Sequence, residues 1–152
     1  MTDRTFVYAT YIATTPEKLW RALTSGEFTS KYFFGRRVES DWTEGAEVIY
    51  YREQDEVDIQ GVVLESKRYE LLKFTWKSPD DPTDRTEPTI VTFEIKQMDD
   101  TVKLTVIHEN LLETDYSDDR NTFMGVNNGW PAIMSNLKSL LETDMTLSAI
   151  RV

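Results

Sequence analysis

The 152-residue chain contains no cysteine. Disulfides, thiolate nucleophiles and zinc sites of the usual cysteine type are therefore excluded. It has a single histidine, His108, which also rules out a metal site built from several imidazoles. Positive charge is scarce: 17 Lys and Arg stand against 27 Asp and Glu, for a net charge of −10. Such a field repels a phosphate backbone and an anionic bilayer surface alike, so neither nucleic acid nor membrane is an expected partner. No apolar run approaches the ~20 residues needed to span a bilayer. The opening MTDRTFVYATYIATT has no long apolar core and does not read as a signal peptide. Together with the absent cysteine, this sets the expectation of a cytoplasmic protein. Also missing are G-x-S-x-G, G-x-G-x-x-G, the phosphate-binding loop and the calcium spacing D-x-[DN]-x-[DN]-G. No cofactor and no metal are expected.

What remains is the composition of a packed globule, 39% hydrophobic and 12% aromatic, at a length suited to one domain over residues 1–152. Residues 5–13, TFVYATYIA, are rich in β-branched and aromatic types and predict a strand. In TTPEKLWRAL, Thr15 is placed to cap a helix whose first residue is Pro16; alternatively Thr14 caps and Glu17 completes a capping box. A second short helix is expected from Glu27 towards Tyr32, ending at Gly35. From about residue 45 the period changes from helical to alternating. AEVIYYR, DIQGVVLES, LLKFTWK, TIVTFEIKQ and VKLTVIHE are five strand candidates. Asp99-Asp100 predicts a tight hairpin turn. The polar, proline-containing residues 78–88 predict a mobile loop.

The alternation sorts the side chains by face. Leu72, Phe74 and Trp76 share one side, as do Val91, Phe93 and Ile95, and Val102, Leu104, Val106 and His108. Lys73, Thr75, Glu94 and Lys103 take the other, so the sheet has an apolar face that needs a cover. The stretch NNGWPAIMSNLKSLLETD, residues 127–144, supplies it. Phe123, Val126, Trp130, Ile133, Leu137 and Leu141 keep helical phase through Gly129 and Pro131, which predicts one long helix kinked at the proline. Gly129 is expected to permit close backbone approach, with Trp130 wedged between helix and sheet. Asp115, Asp118 and Asp119 are expected at the positive N-terminus of that helix. The carboxylates Glu53, Asp55, Glu56 and Asp58 predict a solvated hairpin. The element order, without βαβ alternation, predicts an α+β fold.

ATTPEKLWRALTSGEFTSKYFFG, SDWTEGAEVIYY, DIQGVVLES and GWPAIMSNLKSLLE resemble the START-like superfamily, also called SRPBCC. Within it they resemble the branch homologous to the C-terminal domain of the activator of the ninety-kilodalton heat-shock protein ATPase. The likeness runs from about residue 6 to 144, and TPEKLW and the GW of the last helix are its most specific pieces. Neither is a catalytic signature. The resemblance implies a helix-grip fold: a curved antiparallel sheet around a long C-terminal helix, two short helices after the first strand, and a cavity between sheet and helix. It implies hydrophobic-ligand binding in many members and chaperone stimulation in some.

The candidate cavity residues are Trp20, Phe34, Tyr50, Trp76, Phe93, His108, Trp130 and Met134. Aromatic walls with a few polar groups are what a small-molecule site uses, although any one of these side chains can equally be plain core. His108, on an apolar face, either orients a ligand or exchanges a proton, or is a buried histidine satisfied by a backbone carbonyl. Three functions compete. The first is binding of a small apolar or amphipathic molecule. The second is salt-sensitive interaction of the acidic surface with a chaperone. The third, least supported, is a cavity enzyme such as a cyclase or hydrolase that uses His108 with a nearby Tyr or Glu. The tail MTLSAIRV, residues 145–152, is a candidate contact for a homodimer.

Overall fold

Thr15 starts the first helix as its neighbours suggest. Its hydroxyl accepts the backbone N–H of Lys18 at 3.2 Å, and Pro16 occupies the first helical position, where no N–H is needed. The computed structural model describes residues 4–150. The elements are β1 (Arg4–Ile12), α1 (Pro16–Thr24), α2 (Gly26–Tyr32), β2 (Arg37–Glu39), β3 (Glu47–Tyr51), β4 (Val57–Lys67), β5 (Leu71–Trp76), β6 (Thr89–Met98), β7 (Thr101–Leu111) and α3 (Val126–Thr143). All five expected later strands are present. β2 was not expected, because three residues are too few to show alternation.

The seven strands form one curved antiparallel sheet in the order β1-β7-β6-β5-β4-β3-β2. β6 and β7 join through Asp99-Asp100, with Met98 opposite Thr101 and Asp99 at φ +60°. Gly61 on β4 is the one residue type its position allows: a Cβ there would lie 1.7 Å from the Thr75 carbonyl oxygen on β5. The predicted apolar face is the buried one. Leu72, Phe74, Val91, Phe93, Ile95, Val102, Leu104, Val106 and His108 all lie inside, against Trp130, Ile133, Met134, Leu137 and Leu140 of α3. This is the helix-grip arrangement.

Three local expectations need correction. Phe123 does not extend α3: Gly125, at φ +86°, turns the chain just before Val126 and ends the helical phase, leaving Phe123 45% exposed. Gly129 is not forced by close approach either, because a Cβ there would meet only the Phe123 carbonyl at an ordinary 3.4 Å. The helix continues past Pro131 to Thr143. Asp115, Asp118 and Asp119 lie outside its first turn, which holds no acidic residue. Residues 145–150, the candidate subunit contact, fold back on their own helix and leave Met145 and Leu147 exposed. The Asn136 amide donates to the carbonyls of Tyr32 and Ile150 and accepts the Leu147 N–H at 2.7 Å. The last two residues of the expected tail contact lie outside the described residues.

Candidate functional site

His108 sits near the end of β7, Trp76 ends β5 and Thr89 begins β6, so antiparallel pairing brings all three to one end of the sheet. Trp130 reaches them from the first turns of α3. Its indole Nε1–H donates to His108 Nδ1 at 3.0 Å. An acceptor at Nδ1 places the imidazole proton on Nε2. His108 Nε2–H then donates to Thr89 Oγ1 at 2.8 Å, and the Thr89 hydroxyl donates to the Trp76 carbonyl at 2.8 Å. The chain of donors runs one way from helix to sheet with every member satisfied. Burial pushes the His108 imidazole down from its usual value to about 4. Asp115 opposes that shift and Arg85 adds to it. His108 is therefore neutral at pH 7, held by two side chains and not by the backbone carbonyl envisaged from the sequence.

Beside this network lies a cavity of about 460 Å³, within the range of small-molecule sites. Phe33, Phe34, Ile59, Trp76, Leu111, Phe123, Val126, Trp130 and Ile133 form its apolar wall, and Gly129 leaves an open stretch of helix surface along it. The rings meet edge-on or tilted: Phe33 lies 5.9 Å from Trp76 and 6.0 Å from Trp130, and the two indoles are 5.5 Å apart. Phe34 and Phe123 close one side at 5.9 Å. Such offset contacts hold a wall rigid beyond what area burial alone gives.

The mouth is polar. Residues 78–88 form the expected loop, which borders the cavity and is hydrogen-bonded there through Arg85. Arg85 donates through Nε to Asp81 and Thr83, and through Nη1 and Nη2 to the two oxygens of Asp115 at 3.1 and 2.6 Å. Its side chain is only 12% exposed. A two-pronged guanidinium–carboxylate pair fixes geometry as well as charge. Burial alone would raise the Asp81 carboxyl, but hydrogen bonds from Thr83 and Arg85, with the guanidinium charge, hold it below the usual carboxylate value. Asp115 also accepts the Leu112 N–H at 2.8 Å. Its job is thus to fasten the loop, not to cap α3. Asp58 pairs with Arg36 at 3.1 Å, so the 53–58 hairpin is braced at its base.

Four of the eight candidate residues line the cavity: Phe34, Trp76, His108 and Trp130. The other four do not line it and lie in the core. Phe93 stands opposite Val106, two residues deeper along the sheet than His108, and packs against Trp130 at 6.0 Å. Tyr50 is enclosed behind Phe33 and Trp76, at 5.1 and 5.2 Å. Trp20, on α1, packs edge-on against Tyr69. Met134 is fully buried in α3. Not foreseen were Thr89, which completes the histidine's bonding, and Arg85, Asp81 and Asp115. Among the described residues no group of three or more potential ligands is placed to hold a metal ion. No helix of the described residues is long and apolar enough to cross a membrane.

A helix gripped by a curved antiparallel sheet, with an aromatic cavity at one end of their contact, defines the START-like class. A family model described as Activator of Hsp90 ATPase homolog 1-like protein matches residues 13–142, and the chain belongs to that family. Comparison with curated proteins gives no match. Among solved structures, a Mesorhizobium loti protein is 25% identical with a TM-score of 0.73, covering 91% of this chain and 96% of that one. A Plasmodium falciparum protein described as an HSP90 activator is 22% identical with a TM-score of 0.69, covering 90% and 95%. The Aha1 dimer from Colwellia psychrerythraea is 18% identical with a TM-score of 0.71, covering 92% and 97%. These likenesses show the shared fold.

Proposed function

We propose that this chain binds a small apolar or amphipathic molecule in the cavity between α3 and the sheet. The observation that carries the reading is the cavity itself: about 460 Å³ bounded by Phe33, Phe34, Trp76 and Trp130. Its inner polar groups are already bonded to one another, so they rigidify the wall without demanding a polar ligand. The same bonding weighs against the cavity enzyme. His108 has both ring nitrogens engaged and burial resists its protonation, so it is poorly placed as an acid or base. Native mass spectrometry of protein purified gently from its own cells tests the binding reading. A reproducible small added mass, lost in Gly129→Leu, is expected; a bare chain under every gentle condition would count against it.

A second reading has its own support. The family and the Plasmodium activator favour contact with a chaperone, and the net charge of −10 favours a basic surface on that partner. Capture of the ninety-kilodalton heat-shock protein at low salt, released at high salt, is the expected result. Salt-independent absence of capture would remove it. The Colwellia dimer makes a homodimer the assembly to check by light scattering.

A further inference from the structure

We infer that the molecule held in this cavity is a cation: an apolar body lodged against the aromatic wall that Trp76 and Trp130 share, with an amine or comparable positive group at the mouth. The inference rests on the binding reading above and adds the sign of the ligand's charge. The cavity makes the site; the side chains at its mouth decide what may enter.

An anionic ligand such as a fatty acid or a phosphate ester needs a free cation. Among the described residues, Arg85 is the one cationic side chain that lines the cavity, and its guanidinium is already taken by Asp81, Thr83 and both oxygens of Asp115. Arg36 and Arg52 stand behind Asp58, at 3.1 and 3.7 Å, and Arg52 also reaches Glu56 at 3.5 Å and Asp80 at 3.6 Å. Arg52 Nε is buried without a hydrogen-bond partner, but neither Arg52 nor Arg36 lines the cavity, and the charge of each is already faced by carboxylates. The lining itself carries Asp58, Asp80, Asp81 and Asp115. With the two rear guanidiniums counted, the mouth keeps a negative balance. Asp80 is the freest of its carboxylates: its side chain is 78% exposed, and its one ion-pair contact is the 3.6 Å approach to Arg52. A cation needs no pair to open. Its positive group meets Asp80 at the rim, while its apolar body lies against the aromatic wall inside. The acidic surface as a whole draws such ligands inward.

Three probes of one shape separate the outcomes: naphthylethylammonium, naphthylethanol and naphthylpropanoate, titrated by calorimetry at low salt. The ammonium compound is expected to bind at least ~10-fold tighter than the carboxylate, with the alcohol between them. Raising the salt narrows the gap. Asp80→Asn, an exposed change that leaves the core intact, is expected to reduce the ammonium's advantage and leave the alcohol's affinity unchanged. Equal or tighter binding of the carboxylate overturns the inference while keeping the binding reading. Failure of all three probes to bind overturns both.

Discussion

The two halves of α3 meet the same sheet with different results. Towards its C-terminus, Leu137 is 0% exposed and packs into a filled core with Ile12, Val102 and Leu104. Its outer face is tied to the end of β1: Lys138 donates to the Tyr11 carbonyl at 2.7 Å, and the Glu142 carboxylate accepts the Ala13 N–H at 2.8 Å. Towards its N-terminus, Gly129 and Val126 border empty space, and the contacts are polar bonds among Trp130, His108 and Thr89. One end is closed by volume and the other is held open by a rigid aromatic and hydrogen-bonded frame. The sheet does not grip the helix evenly along its whole length. The difference shows which end is scaffold and which is available.

The comparison predicts unequal costs. Leu137→Ala leaves a cavity in close-packed surroundings and is expected to lower the unfolding free energy by about 2–5 kcal/mol. Val126→Ala, beside existing space, is expected to cost under about 1 kcal/mol, and urea unfolding of both checks the contrast. If the two costs were equal, the open end would be packed as tightly as the closed one.

The histidine gives the next effect. Its pKa lies near 4 in the folded chain and at its ordinary value when unfolded. Below about pH 6.5 the unfolded chain gains a proton that the folded chain refuses. The contribution is complete above that pH and is lost progressively as pH falls to about 4, a span worth roughly 3 kcal/mol. Unfolding free energies of wild type and His108→Gln, compared across that window, should converge as the pH falls. Parallel curves would mean that His108 accepts a proton in the folded state. Thr89→Val strips the acceptor from His108 Nε2 and is expected to cost about 1–3 kcal/mol at pH 7.

Arg85→Ala should release residues 78–88. Amide exchange in the loop should quicken, with a stability loss on the order of 1 kcal/mol because the pair is partly solvated. Gly129→Ala is the smallest change and has the opposite sign, a gain of about 0.5–1 kcal/mol from helix propensity.

Local signals were legible in the sequence. The Thr15–Pro16 helix start, the Asp99-Asp100 turn and the inward-facing sets on β5, β6 and β7 each depend on neighbours a few residues apart. Alternation told that Phe93 and His108 face inward, but not their depth. That depends on register between strands, which places His108 in the end row and Phe93 deeper. The Arg85 clasp was not legible, because its partner Asp115 lies 30 residues on and the loop's composition resembles any solvated connection. The approximate location of the cavity was readable from Trp76, His108 and Trp130. Its mouth was not.

The most direct measurement is a fluorescence titration with N-phenyl-naphthylamine, a neutral apolar probe, on the wild type and on Gly129→Leu. A leucine at position 129 favours the helix and projects into the empty volume, so it should fill the site without unfolding the chain. Saturable one-to-one binding by the wild type, abolished in a Gly129→Leu protein of equal or greater stability, is the predicted result. Unchanged binding in that variant, or none to the wild type, would contradict the claim that the open end of the helix grip is a ligand site.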